Sequence, residues 1–117
     1  MVARFYTLPP LSIPYPFVLM NANHPEHGLK YVFSWPKTVK SVIIDSGVEI
    51  FRNPSVKDYP EGWVNRLVGI YNVVRTYVKD VMVTVPDYPD DYHHKSLWIG
   101  EKTNIERTIE NIIEVLD

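Results

Sequence analysis

Two short apolar runs, each followed by a segment with helical periodicity, decide which folds this chain can adopt. The runs are "KSVIID", residues 40–45, and "VMVTV", residues 81–85, and both are rich in β-branched residues. Their apolar residues are nearly continuous, which is typical of strands buried on both faces of a parallel sheet. The sequence therefore predicts parallel strands covered by helices, an α/β fold.

The segments that follow the two runs predict helices. Residues 63–78 repeat apolar side chains at i, i+3, i+4 and i+7, which indicates an amphipathic helix about four turns long. The segment "TNIERTIENIIEVLD" predicts a second helix over residues 103–117, begun by a capping box between Thr103 and Glu106. Strand, helix, strand, helix is the order of right-handed βαβ units.

The residues before the first run predict an extended lead-in and two further strands. Residues 1–16 are rich in proline and aromatic side chains, which is typical of an extended segment packed on a domain surface. Strands are predicted for "FVLMNA", residues 17–22, and "LKYVFSW", residues 29–35, with a turn at "HPEHG" between them. Residues 1–117 are expected to form one domain or the N-terminal part of a larger one, with βα units over 17–117.

Composition excludes several kinds of chemistry from this chain. The absence of cysteine excludes disulfides, thiolate catalysis and cysteine-ligated zinc. The formal net charge of −2 gives no overall basic field from which to predict nucleic-acid binding. Prolines interrupt the apolar N-terminus, and no run reaches the ~18 apolar residues of a membrane span. A soluble, cytoplasmic protein without a membrane partner is therefore expected.

Each of the two runs leads into an aspartate. Asp45 ends the first run, and Asp87 follows the second run after Pro86. Catalytic and binding groups of parallel sheets lie at the carboxyl ends of the strands, so both carboxylates are expected at one rim, in one concave site. Aspartate is also a common turn residue and helix N-cap, so a purely structural role for both stays open.

Three segments resemble the tRNA-guanine transglycosylase family, which includes archaeosine enzymes and relatives that insert 7-deazaguanines into DNA. "IIDSGVEIF", residues 43–51, resembles the family signature Asp-Ser-Gly-Gly-Phe-Gln-Val-Phe. "VMVTVPDYPDD" is similar to the family strand that ends in Asp before a proline-containing loop, and "TNIERTIENI" resembles the helix after it. The resemblance covers residues 40–117 and implies the N-terminal part of a (β/α)₈ TIM-type barrel, which usually needs about 250 residues.

The resemblance implies a purine-exchange site at the strand ends. Asp45 would be the catalytic acid or base beside the exchanged base, and Asp87 would accept hydrogen bonds from the guanine edge. The backbone at Ser46 and Gly47 would approach the purine. With Tyr88 taken as a stacking surface, the expected substrate-binding residues are Ser46, Gly47, Glu49, Asp87 and Tyr88.

Departures from the family limit what this segment is expected to do alone. Glu49 stands in place of a Gln, and one Gly of the signature is missing. The later strand with the nucleophilic Asp and the zinc site of three Cys and one His are also absent. No cofactor or metal site is therefore predicted in this segment, and zinc is expected only through a missing C-terminal part. The imidazoles and carboxylates of "HPEH" at 24–27 and "DYHH" at 91–94 suit zinc or nickel, but their spacing matches no established site, so solvated loop histidines are the preferred interpretation. Whether the chain is an enzyme stays open.

Two functions and one mode of assembly follow from these observations. The first function is a transglycosylase-like domain that binds a guanine or 7-deazaguanine base in tRNA or DNA, with base exchange if a missing C-terminal half completes it. The second is a non-catalytic α/β interaction protein, of viral or otherwise diverged origin. Half a barrel exposes sheet edges and an apolar interior, so a homo-oligomer or a missing half is expected.

Overall fold

The computed structural model describes residues 4–9, 13–53, 55–56, 58–86, 88 and 104–116. The elements are β1 (Phe17–Asn21), α1 (Glu26–Ser34), β2 (Ser41–Asp45), a 3₁₀ helix (Val48–Arg52), α2 (Trp63–Val74), β3 (Asp80–Val83) and α3 (Asn104–Leu116). The chain divides into two compact units. We call Met1–Ser46 with Leu67–Thr84 the sheet unit, and Gly47–Arg66 with Val85–Asp117 the helical unit.

The sheet unit is built on three parallel strands in the order β1-β2-β3, so the predicted α/β fold with parallel strands is confirmed. Phe17, Ser41 and Asp80 lie in register at the amino end of the sheet. β2 has a neighbour on each side, and its side chains Val42 and Ile44 are fully buried. Val42 and Ile44 lie on one face of the sheet, whereas on the other face Ser41 is buried and Ile43 is half-buried, so one face of β2 is fully covered and the other in part.

The edge strand β3 is less buried than its sequence predicts. Its exposure alternates along the strand: Asp80 and Met82 are exposed, whereas Val81 and Val83 are half-buried. The strand also ends at Val83, two residues before the predicted end at residue 85. The expectation of burial on both faces is wrong for β3, because among the described residues only β2 pairs with it.

The described part of the lead-in begins along the outer edge of β1. Thr7 forms a parallel bridge with Val18. The Thr7 amide donates to the Phe17 carbonyl at 3.2 Å, and the Thr7 carbonyl accepts from the Leu19 amide at 2.9 Å. This bridge satisfies backbone groups that an edge strand would otherwise leave unpaired.

The same segment crosses the amino end of the sheet. The hydroxyl oxygens of Tyr6 and Ser41 lie 2.7 Å apart in a hydrogen bond. The Arg4 guanidinium pairs with the Asp80 carboxylate at 3.2 Å and lies 5.3 Å from the ring centre of Phe17. The lead-in therefore contacts the first residue of every strand in the sheet.

The prediction of a strand over residues 29–35 is wrong, because this segment belongs to helix α1. The buried residues Gly28, Tyr31 and Val32 are spaced three and four apart, which is the helical period. A seven-residue apolar segment fits either pattern, and tertiary packing decides between them. Here α1 packs so closely on β1 that a Cβ atom at Gly28 would lie 2.7 Å from Cγ of Met20.

Helix α2 ends one turn earlier than the periodicity predicts. The helix stops at Val74, and residues 75–77 form a turn. The amides of Tyr77 and Val78 both donate to the Val74 carbonyl, at 2.9 and 3.0 Å. Val78 is still buried, so the apolar period continues through the turn that leads the chain into β3 at Asp80.

The helical unit has a small aromatic core. Phe51 and Tyr59 are buried, and their ring centres lie 5.0 Å apart.

Helix α3 agrees with the predicted helix to within one residue at each end, but Thr103 of the predicted capping box lies outside the described residues. Exposed apolar side chains of α3 are Ile109, Ile112, Ile113 and Leu116. In the part of the chain that is described, no helix has the length and apolar character needed to cross a bilayer.

Candidate functional site

Asp45 is the last residue of the central strand and lies at the carboxyl end of the sheet. Its register partner on β1 is Asn21, and the Asp45 carbonyl accepts a hydrogen bond from the Ala22 amide at 2.9 Å. The Asn21 side chain accepts from the Asn23 amide at 2.8 Å, which turns the chain out of β1. The Asp45 residue is half-buried. The carboxyl end of the sheet thus carries one acidic and one amide side chain on adjacent strands.

Ser46 and Gly47 turn the chain after β2. Ser46 is 2% exposed, and its amide donates to the Thr84 hydroxyl oxygen at 2.8 Å. This bond ties the end of β2 to the residue after β3, because Thr84 directly follows Val83. Gly47 adopts a left-handed conformation with φ 90°, which glycine reaches without the steric cost that a Cβ atom would bring.

Two further residues of the predicted site are Glu49 and Asp87. Glu49 lies in the 3₁₀ helix and is exposed. Asp87 lies outside the described residues, so a site shared by Asp45 and Asp87 stays a prediction. The strands that precede these two aspartates are adjacent and parallel, as that prediction requires.

Tyr88, predicted as a stacking surface, is held by several contacts in the helical unit. Its amide donates to the Thr108 hydroxyl oxygen at 2.9 Å, and its own hydroxyl donates to the Asp58 carboxylate at 2.6 Å. The Arg107 guanidinium lies 3.6 Å from its ring centre. Burial, and then the hydrogen bond to Asp58, raises the pKa of Tyr88 to about 12, so the phenol stays protonated at neutral pH.

Sequence reasoning missed the residues that surround Tyr88. Arg107 is a buried arginine, 6% exposed, and it pairs with Asp58 at 3.3 Å. Tyr59 packs edge-on against Tyr88, with ring centres 5.3 Å apart. The tripeptide "DYP" occurs both at residues 58–60 and at residues 87–89, but a repeated tripeptide does not predict a contact between its two copies. The helical period of α3 gave no reason to bury an arginine.

Two cavities lie next to described site residues. In the sheet unit, a cavity of about 170 Å³ lies by the carboxyl end of β1 and is lined in part by Asn21, His24 and His27. In the helical unit, a cavity of about 220 Å³ is lined by Tyr88 and other aromatic and acidic residues. Within the described ranges, no group of three or more His, Cys, Asp or Glu side chains could hold a metal ion, and residues 91–94 lie outside those ranges.

Comparisons with known proteins do not assign this site. No protein-family profile, curated protein or solved structure matches the chain. The resemblance of residues 43–51 to the transglycosylase signature therefore stays a prediction from short motifs.

Proposed function

We propose that this chain is a transglycosylase-like domain that binds a guanine or 7-deazaguanine base in a polynucleotide. The observation that carries the proposal is Asp45 at the carboxyl end of the central strand of a parallel sheet. Functional groups of parallel α/β folds lie at this end. An ionised carboxylate only accepts hydrogen bonds, so it suits the N1–H and N2 amino donors of guanine and not the N1 acceptor of adenine.

The strand order supports the further inference that the sheet is part of a (β/α)₈ barrel. Each strand lies beside the one before it in the chain, in the order β1-β2-β3. A barrel of βα units has this sequential order, whereas doubly wound sheets reverse direction at a switch point. The half-exposed strand β3 would then pair with the strand of a following βα unit.

The two aspartates have different roles in the proposed base site. Asp45 acts as acid or base at the exchanged base, and Asp87 reads the guanine edge. The pocket is completed by Ser46, Gly47, Glu49 and Tyr88. The proposed partner is tRNA or DNA, and the proposed location is the cytoplasm. Turnover would need the rest of the barrel, so base binding is the activity to test first.

Guanine is expected to bind more tightly than adenine, and Asp87→Ala is expected to weaken guanine binding by about 1–3 kcal/mol through loss of a charge-assisted hydrogen bond. Asp45→Asn keeps the shape of the side chain and is expected to impair turnover more than binding. Calorimetry with both bases measures these affinities.

Asp80→Asn is the matched control for the guanine experiment, because Asp80 lies at the opposite end of the same sheet. It is expected to leave guanine affinity unchanged. Equal affinities for guanine and adenine in the wild-type protein would contradict the proposed base site.

The second candidate function is an interaction protein, and the observation that favours it is the apolar surface of α3. Ile113 is 56% exposed and Leu116 is 80% exposed, and they continue a stripe with Ile109 and Ile112. Exposed apolar residues in a contiguous stripe mark surfaces that bind other chains. The simplest occupant is the same surface of a second copy, since two-fold dimers bury one patch against itself.

Light scattering of the protein at micromolar concentration is expected to give a dimer or a larger species. Ile113→Lys is expected to shift the protein to monomer, because the dimer would bury the stripe and a buried lysine charge is unfavourable. Val73→Lys places the same charge at an exposed apolar position of α2, away from the α3 stripe and the sheet edges, and serves as the control. A wild-type monomer would remove the oligomer prediction and leave the function of the α3 surface unassigned.

A further inference from the structure

The cavity of the helical unit has aromatic walls, and we call it the aromatic cavity. Tyr59, Trp63 and Tyr88 line it. The rings of Tyr59 and Trp63 are stacked, 6.0 Å apart and 17° from parallel. The ring of Tyr88 meets that of Tyr59 at 69°. The stacked pair and the steeply inclined third ring form two adjoining aromatic walls of the cavity.

The charges around the aromatic cavity are negative. Asp58, Glu61 and Glu114 line it, and no lysine or arginine occurs among its described lining residues. Two arginines lie nearby, Arg107 paired with Asp58 and Arg66 over the ring of Trp63, so the three carboxylates exceed the guanidinium groups by one. A concave site with one sign of charge attracts ions of the opposite sign and repels phosphate and carboxylate ligands.

The rings of this cluster already contact cations within the chain. The Arg107 guanidinium lies 3.6 Å from the centre of the Tyr88 ring, and the Arg66 guanidinium lies 5.5 Å from that of Trp63. The negative potential over an aromatic face attracts cations, most strongly where water is excluded. Aromatic walls together with excess carboxylate charge form the combination that recognises methylated ammonium groups.

We propose that the aromatic cavity binds a methylated ammonium group, carried by a small molecule such as choline or by a trimethylated lysine side chain. The cation would contact the parts of the Tyr59, Trp63 and Tyr88 rings that line the cavity, beside the faces that Arg66 and Arg107 already cover, and Glu61 and Glu114 would balance its charge. Tyr88 is the one residue that this site has in common with the proposed base site. Its test therefore uses no purine.

The first experiment compares a cation with its neutral isostere. Calorimetry of the full chain with choline and with 3,3-dimethyl-1-butanol, in which carbon replaces the charged nitrogen, is expected to give about tenfold tighter binding of choline. Trimethylated N-acetyl-lysine amide is titrated in parallel. Tighter binding of the lysine derivative than of choline assigns the site to a peptide side chain, and the reverse assigns it to a small molecule. Equal affinity for choline and the neutral isostere overturns the proposal.

The second experiment changes the walls and the charges of the cavity. Trp63→Leu is expected to weaken choline binding about tenfold by removing an aromatic face. The double variant Glu61→Gln, Glu114→Gln, at two exposed positions that leave the core unchanged, is expected to weaken it several-fold. Glu110→Gln, one turn earlier on α3, is the matched control and is expected to bind as the wild type does. Unchanged choline binding in the double variant would contradict the proposed site even where Trp63→Leu fails to fold.

Discussion

Replacing Arg107 with Ala is expected to lower the free energy of unfolding by about 2–3 kcal/mol. Arg107 is 6% exposed, contacts the face of Tyr88 at 3.6 Å and pairs with Asp58 at 3.3 Å. Loss of one partner of a fully buried ion pair costs about 3–5 kcal/mol. The Asp58 side chain is 58% exposed and would be solvated after the change, so the lower range is expected.

Urea denaturation followed by circular dichroism measures this change, and Arg75→Ala is its matched control. Arg75 also lies over an aromatic ring, that of Tyr71 at 5.7 Å, but it is exposed. Its replacement is expected to change stability by less than about 1 kcal/mol. Arg107→Met keeps an apolar stem and is expected to recover part of the loss. Equal effects of Arg107→Ala and Arg75→Ala would contradict a structural role for the buried guanidinium.

Replacing Gly28 with Val is expected to lower the free energy of unfolding by about 3 kcal/mol. A Cβ atom at this position would lie 2.7 Å from Cγ and 3.2 Å from Cβ of Met20. The Cβ atom of Met20 is fixed by β1, so rotation of the methionine side chain cannot relieve the contact. Helix α1 would have to move away from the sheet, which exposes part of the core to water.

Gly69→Val is the control for the Gly28 prediction, because it makes the same substitution inside helix α2. Apart from its chain neighbours and the backbone of its own helix, a Cβ atom at Gly69 would have no atom within 4 Å. Valine has a slightly better helix propensity than glycine, so the change is expected to stay within about 0.5 kcal/mol. Thermal unfolding of both variants compares them directly, and similar melting temperatures would show that α1 does not need the close approach.

The sequence predicts the sheet well because strand signals and burial agree there. The apolar run at residues 40–45 becomes the buried central strand β2, and the run at residues 17–22 becomes β1. The error at residues 29–35 has a physical cause. The segment is apolar enough for a strand, but Gly28 allows a helix to pack on Met20 at a distance that no other residue permits. Such contacts between distant segments are invisible to local periodicity.

The candidate sites were predictable only where they follow strands. Asp45 could be placed because the end of a parallel strand has a known position in the fold. The aromatic cavity could not, since the segment with Tyr59 and Trp63 is far in sequence from Tyr88 and from Arg107. Nothing in the local sequence predicts that the proline-rich loop with Tyr59 will lie near the polar helix position of Arg107. The burial of Arg107 follows from the ring and the carboxylate that it contacts, which only the folded chain brings together.

The contacts of the lead-in also limit the order in which the parts of the sheet unit can pack together during folding. Arg4 and Asp80 are separated by 76 positions in the chain, and Tyr6 and Ser41 by 35. Joining chain segments this far apart is entropically expensive and correlates with slow folding. The β1–β2 pairing, with Thr7 on β1 and Tyr6 on Ser41, can form first, and only the Arg4–Asp80 pair requires β3. Arg4 is thus expected to be the last of the described lead-in residues to reach its native contact, and to stay open to proteases and chaperones until β3 has joined the sheet.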